Sequence, residues 1–274
     1  MLAGNETPAV AMTISASDSG GGTGIQADLK TFAAHGVYGT SVLTAVAARN
    51  TEAMLEVEIL NAELVGRQMD AVIVDMGVDA AKTGMLSSSD IIAAVARKLE
   101  EHRVEKVVVD PILVAKSGGR RLDSSEVQVL KAELLPRAYV VTPNLPEAEA
   151  LVGFPVDDED AIRGAARQIV ELGAKAVVIT GGHAKGEESV DWLYDGRRFS
   201  RFAAPRIATP NRYGAGCTFS AAITAQLARG AQLEVAVRSA KRYITAALER
   251  GFALGRGNGP VDPFVGDTVW PPRS

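Results

Sequence analysis

The residues best suited to chemistry lie in NRYGAGCTFS, Asn211 to Ser220, where Gly214, Ala215, Gly216 and Cys217 run straight into the apolar pattern AAITAQLA. Three small residues leave little side-chain bulk between a ligand and the backbone, and the helix that follows points its free N–H groups at whatever lies above them. A helix N-terminus carries roughly half a unit of positive charge, so consecutive amides there form a cradle for an anion, including a phosphoryl group in transfer. Cys217 stands inside this cradle. A thiol at a helix N-terminus is expected to have its thiolate favoured, whereas a lone buried cysteine is usually packing. A glycine turn opening a buried helix is the plainer reading of the same segment.

Two carboxylates extend the pattern. Asp110 follows the run Val107 to Val109, and Glu147 follows Thr142, Pro143 and Asn144, so each acid stands near a strand end. A hydrated magnesium ion takes a few carboxylates together with waters and phosphate oxygens, and such a pair suits it. Taken singly, Asn144 and Asp110 read equally well as helix caps. A second glycine cluster, ASDSGGGTGIQADLKTF, opens a helix carrying Asp28 one turn in, and its loop must fold tightly around something. Its order, Gly20, Gly21, Gly22, Thr23, Gly24, does not supply GxGxxG, and no GxxxxGK[ST] occurs, so neither a Rossmann cofactor site nor a P-loop is expected.

The elements that must position these groups alternate. AVAMTISA, VYGTSVLTAVAA, VDAAKTGM, KVVVDPIL, AYVVTP and AVVITGG read as strands. Helices are expected through TFAAHG, NAELVGRQMDAVIV, DIIAAVARKLEEH, Ser124 to Leu135 and Asp158 to Leu172. Val107 to Val109 and Val177 to Ile179 are apolar on both faces, as strands covered by helices on each side should be. The prediction is an α/β fold, a doubly wound, mostly parallel sheet flanked by helices, in one domain over residues 1–274. VDWLYDGRRFSRFAAPRI breaks the rhythm with a hairpin signal at Asp195 and Gly196. Ligands of such sheets lie beyond the carboxyl ends of the strands, where the polar punctuation falls.

Composition narrows the partners. The 274 residues carry a net charge of −4, with no basic run longer than a pair such as Arg120 and Arg121, which argues for a small molecule rather than nucleic acid. Cys217 is the only cysteine, so no internal disulfide forms and a reducing, cytoplasmic setting is expected. No run approaches the ~18 apolar residues of a membrane helix.

Six segments in order, ISASDSGGGTGIQADLKTFAAHGVYGTSVLTAVAARNT, AAKTGML, VVVDPILVAKSGG, VVTPNLPEAEAL, VVITGGH and NRYGAGCTFSAAITAQLARG, together resemble the hydroxymethylpyrimidine and phosphomethylpyrimidine kinases of thiamin synthesis. These belong to the ribokinase-like superfamily, with bacterial pyridoxal kinases as near relatives. The resemblance runs from about Val10 to Pro263. It implies ATP- and magnesium-dependent phosphorylation of the hydroxymethyl group of 4-amino-5-hydroxymethyl-2-methylpyrimidine and of its monophosphate, by a cytoplasmic enzyme expected to be a homodimer. By the same resemblance, Cys217 takes the catalytic place and Gly214, Ala215 and Gly216 form the anion hole. Asp110 and Glu147 serve the metal, and Asn144, Thr180, Gly182 and Lys241 serve ATP. Ala16, Asp28, Ala47, Arg49, Met85 and Ile112 hold the pyrimidine.

Four positions depart from that family pattern. Arg49 stands where these kinases have the glutamine of AQNT, Tyr213 replaces a histidine, Ala16 a glycine, and Thr180 the lysine of KGGH. A glutamine amide both donates and accepts, whereas an arginine only donates, so Arg49 suits an acceptor-rich ligand such as a pyridoxal-type phenolate. A pyridoxal or pyridoxine kinase is therefore the alternative. A catalytically silent ligand-binding homologue is a third reading.

Overall fold

The structure is a computed structural model that describes residues 7–113, 122–183 and 186–265. The tail of the VVVDPILVAKSGG motif, residues 114–119, lies outside them. Nine strands form one sheet: β1 (Val10–Asp18), β2 (Tyr38–Arg49), β3 (Met54–Ile59), β4 (Ala80–Thr83), β5 (Val107–Val109), β6 (Val140–Val141), β7 (Val177–Ile179), β8 (Glu188–Tyr194) and β9 (Phe199–Pro205). Their order is β3-β2-β1-β4-β5-β6-β7-β8-β9. β2, β1, β4, β5, β6 and β7 run parallel, whereas β3, β8 and β9 each pair antiparallel with a neighbour. The six parallel strands therefore present their carboxyl ends along one edge, and every candidate residue on or after them belongs to that edge.

Helices α1 (Gly24–Ala34), α2 (Ala62–Met76), α3 (Ser89–Glu101), α4 (Ser124–Val129), α5 (Leu145–Val152), α6 (Glu159–Glu171), α7 (Ala215–Ala228) and α8 (Leu233–Glu249) cover the sheet. One apolar layer packs α2, α3 and α6 against residues such as Met12, Val109 and Ile179; a second packs α1, α7 and α8 against Ala11, Val108 and Val178. Alternate residues of β5 and β7 thus face opposite layers, so strands with no polar face are required here. α7 is buried along most of its length because its small residues, Ala221, Ala222 and Ala225, let it lie close on the sheet. Side-chain caps start α2, α3 and α6, where Asn61, Ser88 and Asp158 accept from an amide of the first turn.

Two expectations change in detail. The helix expected over Ser124 to Leu135 is α-helical only to Val129, then widens into a π turn over Leu130–Leu134 and tightens over Leu135–Arg137. Pro136 has no N–H, and its ring crowds the carbonyl four residues back, so the α pitch cannot continue. The hairpin forms as expected, but Gly196 and Arg197 take its tip: Asp195 N–H donates to Arg198 O, Gly196 has φ 86°, and Asp195 Oδ1 accepts from Arg197 and Arg198 N–H.

Candidate active site

What the first glycine loop folds around is a carboxylate of this chain. Asp18, the last residue of β1, accepts from Gly20 N–H at 2.8 Å through Oδ1 and from Thr23 N–H and Oγ1 at 2.9 and 2.7 Å through Oδ2. Tyr213 closes the ring of donors, its hydroxyl reaching Asp18 Oδ2 at 2.5 Å. Glycine is required where this loop meets the anion loop: a Cβ on Gly22 would fall 2.1 Å from the Tyr213 ring, and one on Gly214 would fall 1.7 Å from Gly22 O. Gly214 also has φ 86°, a conformation that carries no penalty for glycine alone. Burial and the bond to Asp18 push the Tyr213 phenol well above its ordinary range, so it stays a donor. Asp18 was not among the sequence candidates, because a turn aspartate carries no signal of the residue 195 positions away that it binds.

Beyond Gly214 the chain enters α7. Ala215 N–H donates back to Arg212 O and Thr218 N–H to Gly214 O, which leaves the Gly216 and Cys217 amides as the open first-turn donors. Gly216 is exposed, and a Cβ added to it would meet nothing within 4 Å. Of the cradle expected of Gly214, Ala215 and Gly216, the Ala215 amide is engaged with Arg212 O and the exposed, open donor is Gly216, with Cys217 beside it. The Arg49 guanidinium lies over the Tyr213 ring, 4.7 Å from its centroid, so it stacks at the joint between the two loops.

Beneath the cradle is a buried ionic cluster. Lys82 of β4, fully buried, lies 3.0 Å from Asp28 Oδ2 and 3.9 Å from Asp110 Oδ2. Thr13 Oγ1 donates to the same Asp28 oxygen at 2.6 Å, and Ser220 Oγ of α7 donates to Asp110 Oδ2 at 2.8 Å. Burial works against the Lys82 charge, but Asp28, Cys217 and Asp110 around it hold the ammonium above its usual range, so the cation persists. Asp28, expected to hold substrate, is instead 0% exposed and engaged with Thr13 and Lys82. Burial pushes the Cys217 thiol up to about 12, and Asp110 and Asp28 reinforce this against Lys82 and the Gly24 amide. The loss of hydration on burial favours the neutral thiol.

Asn144 and Glu147 form a capping box at the start of α5. Asn144 Oδ1 accepts from Glu147 N–H at 3.1 Å, and Glu147 Oε2 accepts from Asn144 N–H at 2.9 Å. The same box turns both residues to the strand-end edge, where Thr180, the residue after β7, bridges to Asn144. Gly182 follows, exposed, with open space at its Cβ position. Lys241 of α8 is committed to a buried partner that the sequence did not announce: its Nζ lies 2.9 Å from Asp191 Oδ2 and donates to Ser189 Oγ at 3.1 Å. Asp191 Oδ1 takes Gly181 N–H at 2.9 Å, so one carboxylate ties the lysine to the loop after Thr180.

The residues expected against a ring are small or half-buried ends of neighbouring strands. Ala16 sits at a register shift between β1 and β2, and Ala47 is the partner of Asp18 in that ladder. Met85 N–H donates to Ser15 Oγ at 3.1 Å while its carbonyl accepts from Thr44 Oγ1 at 2.6 Å, which fixes the turn after β4. Ile112 is half-buried in the turn after Asp110.

Among the described residues no group of three or more His, Cys, Asp or Glu is placed to hold a metal ion, and no helix is long and apolar enough to cross a membrane. A family model described as phosphomethylpyrimidine kinase matches residues 18–262. A thiamine biosynthesis bifunctional protein of Geobacter sulfurreducens is 51% identical over 254 residues, covering 93% of this chain and 52% of that one, so the chain spans about half the length of that relative. A hydroxymethylpyrimidine/phosphomethylpyrimidine kinase of Bacillus subtilis is 44% identical over 256 residues, 93% of this chain and 94% of its own. The solved pyridoxal kinase of Staphylococcus aureus in complex with AMP-PCP superimposes with a TM-score of 0.89 at 34% identity, covering 96% of both chains.

Proposed function

The chain belongs to the phosphomethylpyrimidine kinase family, and on that premise we propose that it transfers the γ-phosphoryl group of ATP to the hydroxymethyl group of 4-amino-5-hydroxymethyl-2-methylpyrimidine and then to its monophosphate, as a single cytoplasmic kinase domain. The observation that carries this reading is the open Gly216 and Cys217 amide pair at the start of α7, set above the buried Lys82, Asp28 and Asp110 cluster. Such amides stabilise charge on a migrating phosphoryl group, and the fixed loops hold donor and acceptor in line.

In the transfer, the alcohol oxygen bonds to the γ-phosphorus as the bond to the ADP oxygen breaks. Cys217 orients the alcohol as a neutral thiol. The alcohol proton passes to an oxygen of the transferred phosphoryl as the new bond forms, since in a loose transition state the alcohol keeps its proton until late. Asn144, Thr180, Gly182 and Lys241 flank the nucleotide. Magnesium fits the donor set: with one or two carboxylates available and no all-protein cage among the described residues, the remaining ligands must be waters and phosphate oxygens, as this ion prefers. Asp110 and Glu147 would hold it, and its charge would neutralise the phosphates. We also propose a homodimer, supported by Leu55 and Ile59, large apolar residues exposed on β3.

The second reading, a pyridoxal-type substrate, is favoured by Arg49, whose guanidinium offers donors only. Steady-state ATP consumption with hydroxymethylpyrimidine, its monophosphate, pyridoxal and pyridoxine tests both. The first reading requires the two pyrimidines to give the highest kcat/KM. A preference for pyridoxal or pyridoxine replaces it with the second, and no turnover with any of the four refutes the kinase reading itself.

A further inference from the structure

Arg206, immediately after β9, spends its guanidinium on four peptide carbonyls. Nε donates to Gly186 O at 2.8 Å, Nη1 to Gly182 O at 3.1 Å, and Nη2 to Gly181 O at 3.3 Å and to Glu188 O at 2.8 Å. Gly181 and Gly182 lie on the limb leaving Thr180, Gly186 and Glu188 on the limb entering β8. A planar guanidinium with donors in a rigid fork therefore fixes the spacing of the two limbs, which a lysine ammonium cannot do.

Gly181 is held from its other side as well. Its N–H donates to Asp191 Oδ1 at 2.9 Å, and a Cβ on it would fall 2.0 Å from Val190 O. With donor and acceptor both engaged and no space for a side chain, its peptide planes have one orientation. A trans peptide points the N–H of the next residue opposite to the carbonyl, so the bond from Arg206 to Gly181 O sets the direction of the Gly182 amide. Charged donors on the two carbonyls also polarise those peptides, which strengthens their N–H groups as donors. Gly182 itself is exposed with open space beside it, so what this arrangement presents is accessible.

We propose that Arg206 is a positioning residue for nucleotide binding, its carbonyl fork setting the Gly181 and Gly182 peptides against which the ATP phosphates lie. The inference rests on the nucleotide reading above. Binding of a non-hydrolysable ATP analogue is measured by calorimetry for the wild type, Arg206→Gln and Arg206→Lys, together with the thermal midpoint and KM for the alcohol. Both variants are expected to bind the analogue about 5- to 30-fold more weakly, the loss of one or two net hydrogen bonds. KM for the alcohol should stay near wild type, while the thermal midpoint should fall in both variants as carbonyl bonds of the fork are lost. Wild-type affinity in Arg206→Lys would show that charge alone matters and overturn the fork; unchanged affinity in Arg206→Gln, or weakening of both substrates alike, would overturn the positioning role. A wild type that does not bind the analogue refutes the nucleotide reading and this inference with it, whereas wild-type binding with insensitive variants refutes this inference alone.

Discussion

The Tyr213 hydroxyl donates to Asp18 Oδ2 at 2.5 Å across 195 residues of chain, joining the glycine loop after β1 to the anion loop before α7. Each loop alone is a flexible run of glycines, which loses more backbone freedom on ordering than other sequence would. The Asp18 carboxylate, with Gly20, Thr23 and Tyr213 around it, offsets that loss at one point.

Tyr213→Phe keeps the ring against Gly22 and removes only the hydroxyl. A hydrogen bond to a charged group contributes about 1.5 to 3 kcal/mol, so the unfolding free energy should fall by that amount, read as a lower urea midpoint with the m-value unchanged. Turnover should fall too, because the anion loop loses its tie. A variant as stable as wild type would mean that water replaces the phenol at no cost.

Cys217 offers a test by pH. The thiol's ordinary value near 9 is raised to about 12 by burial. The folded state therefore retains the proton where the unfolded chain has lost it, so stability from this group is complete below pH 9 and is lost as pH climbs from about 9 toward 12. Alkylation by iodoacetamide should accordingly stay slow and flat from pH 6 to 9 in the folded protein, while a urea-unfolded control accelerates through about 9. Cys217→Ser, which keeps a small orienting group, should retain turnover within about tenfold. A loss of about 10²- to 10⁴-fold would instead mark the thiolate as a true general base.

The strand ends were legible from residue pattern because burial on both faces leaves a plain trace: VVV and VVI cannot be edge strands in water. β3 was not, since MLEVEI alternates acids with apolar residues and lies half-exposed at the sheet edge, where pattern and loop look alike. The candidate site divides the same way. Gly214 to Cys217, Asp110 and Glu147 announce themselves by local spacing, whereas Lys82, Asp191, Asp18 and Arg206 act through partners far along the chain or through backbone carbonyls. Lys82 did leave one trace, a lysine within the short apolar strand AAKT, and a buried cation there demands acids such as Asp28 and Asp110.

Glu147 performs two roles that substitution can separate. Glutamine also serves at the third position of a capping box, so Glu147→Gln should leave the thermal midpoint close to wild type. Its lost charge should lower magnesium-supported turnover at least ~10-fold and raise the magnesium concentration needed for half-maximal rate. Glu147→Ala should lose stability as well, by about 0.5 to 2 kcal/mol. If the glutamine variant matches wild type across a magnesium titration, the carboxylate is a cap and nothing more.

Arg49→Gln probes the departure that bears most directly on substrate choice, and the geometry sharpens what it must show. The guanidinium stacks 4.7 Å from the Tyr213 centroid, an interaction contributing about 0.5 to 1 kcal/mol at an accessible site, so a small loss of stability is expected on replacement. Against that, glutamine supplies an acceptor for the exocyclic amine of the pyrimidine as well as a donor for a ring nitrogen. Correcting a polar mismatch of about 1 to 3 kcal/mol should tighten hydroxymethylpyrimidine binding by roughly 5- to 150-fold while weakening or sparing pyridoxal. Calorimetric titration of both variants with both ligands measures this directly. If the glutamine variant binds the pyrimidine no better, Arg49 serves only to brace Tyr213, and the choice of substrate is made by other residues of the strand-end pocket.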